Sequence, residues 1–490
     1  MKKPIAFILL LKIAIPFQVF PQSSFELTIS NVKDQIINSV VENDESGFVL
    51  AGRIHNFETG LPGGYILKVD CNGSLLLESI IQPEDSSSCQ FFNIHYFNNY
   101  YYILGSKSIV NTDQWALWFL MLNSELGVES EKLIYLPTNK WISYMNSIID
   151  SDSNIMITGY TTHYDTISPY NHDPFYVKLS ITGDSLNSVF FSTSSIWDRP
   201  FDLIESKDSA NYHVFYSYYD NTSAGQMVTI NKNFELLNVL PIPLGVHNYY
   251  SPVFINDTSI LVCGAGTSAQ SYVNQLNVVS MTEAGQLVSY NHFFKNETMR
   301  EQPAMYQGVS KLGNNLYVGG TSNYDYYNPF WSSFNSWFHL IKISVDLTPI
   351  WEYWYGGDAY YFLYSILATN DGGCLMVGNR YDDDTQDQER DIYIVKVDSN
   401  GLITWTQEIP IDKPETMVYP NPGTNQLNIK TISNEIDFEL LSINGQVVIR
   451  QMLYDNCSNI NVESLKSGIY FYRLFDKKNK TVETGKWIKY

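Results

Sequence analysis

The chain has 490 residues, of which 44% are hydrophobic, 15% aromatic and 17% charged, and its net charge at pH 7 is −21. This length exceeds one ordinary hydrophobic core and predicts several domains or a repeat array. The aromatic-rich, charge-poor composition favours an all-β protein over helices or disorder, and the acidic balance argues against nucleic acid or an anionic membrane surface as a partner.

The first residues have the pattern of an export signal. Lys2, Lys3 and Lys12 accompany an apolar stretch over residues 5–20, which is too short and too interrupted by proline to span a membrane stably. We predict a cleaved signal peptide over residues 1–21, with the cleavage position left open. No later segment approaches the length of a transmembrane helix, so the mature protein is expected to have no membrane span.

A repeated pattern of strands and turns follows, from about residue 36 to residue 409. The first copy runs from the strand at residues 48–52 to the turn Asn72-Gly73, and the last copy matches it from residues 374–378 to Asn400-Gly401. The small residue that ends the first of these strands recurs at Gly52, Gly105, Gly159, Ser217, Gly264, Gly319 and Gly378. The mean interval of about 54 residues suits four-stranded propeller blades.

We therefore predict an all-β protein in which a seven-bladed β-propeller with four-stranded blades occupies residues 22–412. Ring closure stays open, because an extra strand at residues 25–29 could complete the last blade. The fourth unit lacks the glycine and is the least regular. The pattern resembles bacterial surface and secreted β-propeller repeats, a resemblance that implies a fold and leaves the function undetermined.

The cysteines give neither a zinc site nor a disulfide framework, because they are odd in number and have no C-x-x-C spacing. They are Cys71, Cys89, Cys263, Cys374 and Cys457. In the predicted blade, Cys71 and Cys89 lie at opposite ends of a strand, beyond disulfide reach. We expect them to be unbridged.

Two acidic segments raise the question of calcium. Asp150, Asp152 and Asn154 imitate the start of a calcium loop without its glycine or its bidentate glutamate, so a turn is predicted there. A denser acidic run lies in the long loop of the last unit, where Asp382, Asp384 and Asp387 are the candidate ligands. A solvated acidic loop is the alternative, and no other cofactor is predicted.

No H-E-x-x-H, G-x-S-x-G or P-loop motif occurs, so catalysis is undecided and binding without catalysis is favoured. Propeller geometry places the loops between second and third strands, and between blades, on one face. The candidate ligand-binding residues expected there are Trp141, Trp197, Asp198, Arg199, Arg300, Glu301, Trp331 and Asp358, with His163, His172, His247 and Trp337 nearby. Aromatic rings beside charged groups suit stacking on a sugar or an anchored protein contact, although ordinary loop packing also accounts for each residue singly.

The last residues carry a distinct set of motifs. They include the segment Tyr419-Pro420-Asn421-Pro422, the hairpin turn Asn444-Gly445, the strand Gly468-Ile469-Tyr470-Phe471 and the closing Lys486 to Tyr490. A small β-sandwich is predicted over residues 413–490. The prolines predict a stiff, exposed entry linker, and Lys486 and Lys489 are expected to be exposed on a last edge strand.

This tail resembles the type A C-terminal sorting domain that directs Bacteroidota proteins through the type IX secretion system. The resemblance implies recognition by the translocon and removal by a sortase, with the protein secreted or attached to the outer face of the outer membrane after crossing the periplasm. The sorting signal that it implies consists of Pro420, Asn421, Pro422, Gly468, Tyr470, Lys486 and Lys489.

The favoured function is therefore an exported propeller that binds an extracellular polysaccharide or protein. One alternative is a secreted hydrolase that uses Asp198, Glu301 and Asp358 as paired carboxylates. Another is a passive structural component of the envelope.

Overall fold

The structure is a computed structural model of the chain. It describes residues 23–30, 33–45, 47–56, 61–81, 87–110, 112, 114–136, 141–163, 171–191, 199–217, 225–246, 250–267, 274–385, 389–403, 406–410, 416–420, 423–431, 436–454, 457–475 and 481–490. The predicted signal peptide lies outside these ranges. The chain divides into two compact units, Met1–Ile409 and Pro410–Tyr490.

The described part of the first unit contains seven antiparallel sheets. The N-terminal strand is β1 (Phe25–Ser30). The first sheet contains β2 (Asp34–Glu42), β3 (Phe48–Asn56), β4 (Leu61–Val69) and β5 (Leu75–Ile81). The second contains β6 (Cys89–Phe97), β7 (Tyr100–Ser108), β8 (Trp115–Leu122) and β9 (Val128–Tyr135). The third contains β10 (Trp141–Ile149), β11 (Asn154–His163), β12 (Asn171–Ser180) and β13 (Ser185–Phe190).

The fourth sheet contains β14 (Arg199–Glu205), β15 (Asn211–Ser217), β16 (Gly225–Asn231) and β17 (Leu236–Pro241). The fifth contains β18 (Val253–Phe254), β19 (Ser259–Thr267), β20 (Asn274–Thr282) and β21 (Leu287–Phe293). The sixth contains β22 (Glu301–Pro303), β23 (Val309–Leu312), β24 (Asn315–Ser322), β25 (Trp337–Ile343) and β26 (Pro349–Gly356). The seventh contains β27 (Tyr360–Ala368), β28 (Cys374–Tyr381), β29 (Asp391–Val397), β1 and β30 (Thr406–Pro410).

Burial falls from the first strand of a sheet to the last. The first seven residues of β2 are buried, whereas β9 and β17 are exposed along most of their lengths.

The strand pairing described above confirms the predicted all-β architecture and the four-stranded repeat. Helix is confined, in the described ranges, to the short 3-10 turns Pro243–Gly245 and Asp383–Thr385, and no helix there could cross a membrane.

A bulge interrupts the first strand of five sheets, those that begin with β2, β6, β10, β14 and β27. The repeated glycine gives the bulged backbone room. A Cβ on Gly52 would lie 1.9 Å from the carbonyl oxygen of Ile36, and one on Gly378 would lie 2.2 Å from that of Phe362. The glycine period in the sequence therefore marks a close backbone approach.

The fourth sheet forms the same bulge without the glycine. Tyr216 pairs there with Pro200, at the position where Gly52 pairs with Ile37 in the first sheet. The irregular fourth repeat is nevertheless a complete four-stranded sheet.

The two ends of the repeat region meet. β1 pairs with β29 in antiparallel register, with Leu27 opposite Ile394, so the extra N-terminal strand is the fourth strand of the last sheet. The first strand of the first sheet, β2, packs against β27 and β28. Ser365 Oγ donates a hydrogen bond of 2.6 Å to the carbonyl of Asn38 across this contact.

The sixth sheet departs from the plan because β22 and β23 are two halves of one interrupted strand, each paired with β24. The residues between them reach across to the seventh sheet, where the Tyr306 amide donates to the Tyr364 carbonyl at 2.8 Å. The Tyr306 ring stacks on Tyr144 of the third sheet, with centroids 5.0 Å apart. One side chain thus joins sheets that are not consecutive in the chain.

The described part of the second unit contains two antiparallel sheets. The three-stranded sheet contains β31 (Thr416–Tyr419), β32 (Gln426–Thr431) and β35 (Cys457–Asn461), and the four-stranded sheet contains β33 (Ile436–Ser442), β34 (Val447–Leu453), β36 (Gly468–Phe475) and β37 (Thr481–Lys489). Their inner faces share one core, in which Leu427, Phe438 and Trp487 are fully buried.

Two expectations for this unit were wrong. Lys489 is buried, not exposed, because its ammonium donates to the carbonyls of Val462 and Glu463, the latter at 3.0 Å, whereas Lys486 is exposed as expected. Pro420 is exposed as expected, but it does not lie in a linker, because the paired strand β31 precedes it and its carbonyl accepts a 2.8 Å hydrogen bond from Trp487 Nε1. Asn421 and Pro422 lie outside the described residues.

Candidate functional site

The connection between β24 and β25, residues 323–336, forms an aromatic loop at the surface of the first unit. Its exposed rings are Tyr327, Tyr326, Phe334 and Trp331, with 87%, 58%, 51% and 38% of their surfaces accessible. Isolated exposed aromatic residues are ordinary, but four within nine residues form a patch of the kind that marks interaction sites.

Hydrogen bonds to Asp325 hold this loop in place. Its Oδ1 accepts the amides of Tyr327 at 3.0 Å and Asn328 at 3.2 Å, and its Oδ2 accepts the hydroxyl of Ser332 at 2.8 Å. The Asp325 amide donates to the Tyr360 hydroxyl at 3.2 Å. The backbone that carries the exposed rings is thus ordered by the protein itself, which lowers the entropy cost of binding.

A buried arginine supports the loop from beneath. The Arg390 guanidinium donates two hydrogen bonds of 2.6 Å to the Asp34 carboxylate and lies 4.3 Å from the Trp331 ring centroid and 5.3 Å from that of Phe330. The bidentate pair fixes the plane of the guanidinium, and the cation attracts the ring faces. Trp331 is therefore both partly exposed and held in position.

The other residues predicted for the ligand face are dispersed. Arg300 lies 5.5 Å from the Tyr326 ring and so belongs with the aromatic loop. Trp141 is partly exposed at the start of β10. Arg199 donates to His172 Nε2 at 2.9 Å and lies 5.8 Å from a tyrosine ring in the third sheet. Trp337 begins β25, while Trp197, Asp198 and His247 lie outside the described residues.

Glu301 is fully buried at the start of β22. Its carboxylate accepts hydrogen bonds from the Ser322 hydroxyl at 2.5 Å and from the Lys295 amide at 2.9 Å. It also lies 3.0 Å from His339 Nδ1, and the Glu352 carboxylate lies 2.7 Å from His339 Nε2. Burial acts to lower the pKa of His339, but the two glutamates outweigh it and raise that pKa to about 9. Sequence analysis assigned Glu301 to the ligand face, and the structure makes it the buried partner of a charged histidine.

Asp358 has different partners. Tyr361 donates its hydroxyl to Asp358 at 2.6 Å and Arg380 lies 3.3 Å away. Glu301 and Asp358 are thus held by separate networks, and the third carboxylate of the hydrolase hypothesis, Asp198, is outside the described residues.

The acidic loop surrounds an arginine. Asp382 lies 3.1 Å and Asp391 3.9 Å from Arg380, and the Asp384 amide donates to Asp382 at 3.2 Å. Asp387 is not among the described residues. Within the part of the chain that the structure describes, no three His, Cys, Asp or Glu side chains are grouped to hold a metal.

The turn at Asp150 is confirmed. Asp150 Oδ1 accepts the amides of Asp152 at 3.0 Å and Asn154 at 2.8 Å, while Oδ2 accepts the Tyr212 hydroxyl at 2.6 Å and pairs with Lys178 at 3.0 Å. Both oxygens therefore serve the turn and the adjoining sheets. Elsewhere, none of Cys71, Cys89, Cys263 and Cys374 forms a disulfide within the described residues, so the expectation that Cys71 and Cys89 are unbridged is confirmed.

A cavity of about 690 Å³ lies where the first strands of the seven sheets converge. Each of those strands, or the residues beside it, contributes to the wall, and Tyr306 forms part of it. We call this space the central cavity. Its polar wall residues include Ser39, Asn93, His95, Asn146, Ser147, Asp202, Ser251, Gln307 and Ser365.

Neither the central cavity nor most of the aromatic loop was predicted from the sequence. The glycine repeat was the available signal for the cavity, because Gly52, Gly105 and Gly378 each face a bulge whose next residue lines the wall. For the loop, the signal was the density of aromatic residues between Tyr324 and Trp337, of which only the tryptophans were selected.

Residues 417–489 match a family model described as a secretion system C-terminal sorting domain. No curated protein matches the chain. The second unit is therefore a type IX sorting domain, and the protein is exported to the cell surface or secreted.

Several solved structures resemble the chain weakly. A Pyrococcus horikoshii acylaminoacyl peptidase is similar over 82% of this chain and 59% of its own length, at 11% identity and a TM-score of 0.41. The β-propeller domain of the Pyrococcus furiosus Trilobed protease is similar over 75% and 98%, at 10% identity and a TM-score of 0.36. PorZ, a surface component of the Porphyromonas gingivalis type IX secretion system, is similar over 93% and 81%, at 10% identity and a TM-score of 0.21.

Proposed function

We propose, from the premise that its sorting domain delivers it to the cell surface or the medium, that the protein is a glycan-binding β-propeller. The aromatic loop at residues 323–336 is the binding site, and the exposed, preordered rings of that loop are the observation that carries the proposal. A polysaccharide is the favoured ligand, with a protein surface as the competing one.

The proposal takes the seven sheets as blades of one closed ring. Two observations support this arrangement: β2 packs on β27 and β28, and the central cavity is walled by residues from every sheet. A closed ring would fix the connections between second and third strands on one face. The aromatic loop is one of those connections.

Sugar recognition is supported by the chemistry of the loop. The faces of Tyr327 and Trp331 can stack on the apolar face of a pyranose. Asn328 and Ser333 lie beside these rings in the sequence, and their amide and hydroxyl groups can form hydrogen bonds with the hydroxyls of the sugar. The first unit is also strongly acidic, which favours a neutral or basic polymer over an anionic one.

The delivery route proposed is that of a type A substrate in a member of the Bacteroidota, with the translocon and the sortase as partners of the second unit. The closing motifs and the match over residues 417–489 support it. Deleting residues 468–490 should leave the protein inside the cell envelope. Unchanged surface display of the deleted chain would refute the route.

A glycan array with the mature surface protein tests the binding function. Tyr327→Ala should weaken binding of any positive glycan by about 3- to 10-fold, the usual worth of one stacked ring. Tyr135→Ala is the matched control, because Tyr135 is 61% exposed but lies on the edge strand β9. Equal loss in both variants, or binding only to proteins of the cell surface, would overturn the glycan assignment.

A further inference from the structure

The wall of the central cavity is built on equivalent positions of the repeat. The residue that follows the bulge is Ser39 in the first sheet, Asn93 in the second, Asp202 in the fourth and Ser365 in the seventh, and all four line the cavity. In the third sheet this position is Tyr144, which lies outside the cavity wall, so four of the five bulged sheets have an uncharged side chain there. The fold therefore does not require a carboxyl group at residue 202.

Asp202 is also without a cationic partner. It is 8% exposed, and its carboxyl group accepts the backbone amides of Leu203, at 2.8 Å, and of Ser251. No Lys or Arg lines the cavity among the described residues, and no described Lys, Arg or His forms an ion pair with Asp202. A buried carboxylate without a counterion is costly, and it ordinarily either remains protonated or binds a cation.

The neighbouring titratable groups do not supply that cation. His95 on the wall is neutral at pH 7, because burial lowers its pKa to about 4. The thiol of Cys263 beside Asp202 is neutral, because burial raises its pKa. Asp150 on the wall is already paired with Lys178, and Tyr96 has its pKa raised to about 12 by burial and Asp44. Burial likewise raises the pKa of Asp202 to about 8.

The rest of the wall offers hydrogen bonds to a polar molecule. Asn93 donates to Asn146 at 3.0 Å, but its own Oδ1 is buried and has no partner. Ser147 and His95 are joined at 2.8 Å and can exchange donor and acceptor roles. The volume falls within the range of small-molecule sites, and the Tyr306 ring provides an apolar surface at the wall.

We infer that the central cavity binds a small polyhydroxylated amine, whose ammonium group pairs with the Asp202 carboxylate and whose hydroxyls bond the amides and hydroxyls of the wall. A neutral polyol would leave Asp202 without its cation and should bind more weakly. The inference rests on the cavity alone and is independent of the aromatic loop.

Calorimetry of the mature protein with glucamine, and with sorbitol as its neutral counterpart, tests the site. Glucamine carries an alkylammonium group that stays protonated from pH 6 to about 9. The wild type should bind glucamine at least about tenfold more tightly than sorbitol, the usual worth of a hydrogen bond to a charged group. Asp202→Asn, which keeps the shape and the acceptor of the Leu203 bond, should abolish that preference.

A second measurement does not depend on the variant folding. Because burial raises the pKa of Asp202 to about 8, pairing with an ammonium group at pH 7 should release protons, and the heat of binding should differ between buffers of different ionisation enthalpy. Equal affinity for the two ligands, an unchanged preference in Asp202→Asn, or heats that do not depend on the buffer would each overturn the assignment. Loss of glucamine binding in Tyr327→Ala would also place the amine site elsewhere.

Discussion

Replacing His339 with glutamine should destabilise the first unit through one identifiable charge. His339 and Glu301 are both fully buried, and Glu301 has the imidazole as its cationic partner. Glutamine can retain one hydrogen bond but no charge, so Glu301 would be left as an uncompensated buried carboxylate. Breaking such a pair costs about 3–5 kcal/mol. With about 2.1 cal/mol/K of unfolding entropy per residue, a unit of this size should melt about 4–6 °C lower.

The contribution of His339 to stability should decrease as the pH rises. The folded pKa of His339 is about 9, above its unfolded value near 6.5, so its stabilisation is complete below pH 6.5 and is lost as the pH rises through 9. The wild-type melting temperature should therefore fall between pH 7 and 9.5, and His339→Gln should lack that part of the fall. Asp202 titrates in the wild type and in His339→Gln alike, so its effect cancels when their melting temperatures are compared at each pH.

Scanning calorimetry with two further variants separates charge from packing. His213→Gln is the matched control, because His213 is also buried but contacts a carboxylate that is 34% exposed, that of Glu283, at 2.9 Å. It should cost about 1 kcal/mol or less. The double variant with Glu301→Gln should recover part of the loss by removing the buried charge. An equal cost for His213→Gln, or a double variant no better than the single one, would refute the reasoning.

Three other outcomes follow from the structure. Gly378→Ala should cost about 1–3 kcal/mol by overpacking, because its Cβ would meet the Phe362 carbonyl, and an unchanged melting temperature would contradict the bulge mechanism. Lys489→Met should destabilise the second unit by about 1–3 kcal/mol and reduce surface display, because it leaves buried carbonyls unsatisfied. Lys486→Met should leave the fold intact, and equal melting temperatures of the two variants would contradict the buried role of Lys489. Calcium binding by the acidic loop predicts heat on titration that Asp384→Ala reduces, and no heat in the wild type would remove that site.

Sequence periodicity was sufficient for the strands and the repeat, because alternating apolar residues and turn residues are local signals. The structural role of Gly52 could not be predicted from its neighbours in the sequence. It faces the bulge of the adjacent strand, and only the strand pairing shows this contact. Pairing also explains why β1 joins the last sheet. The local sequence of β1 does not indicate which strand it pairs with.

The candidate sites were harder to predict for a similar reason. Glu301 lies next to a loop in sequence and was therefore expected on the surface, but its partner His339 is 38 residues away and draws it inward. Lys489, near the chain end, was expected to be exposed, and it folds back onto carbonyls more than 25 residues earlier. Asp202 sits inside a strand, where nothing local distinguishes a cavity wall from a packed core.

The pairing of β1 with β29 also sets an order of events for an exported chain. Glu26 and Tyr393, which share a 2.6 Å hydrogen bond, are 367 residues apart in sequence. A polypeptide that crosses a membrane N-terminus first must keep β1 unpaired until nearly all the sheets have emerged, and contacts of such long range form slowly. The exposed edge of the waiting strand is then open to wrong partners. Completion of the last sheet is thereby tied to completion of transport, because a chain stalled midway would have β1 in place but would lack β29, its partner.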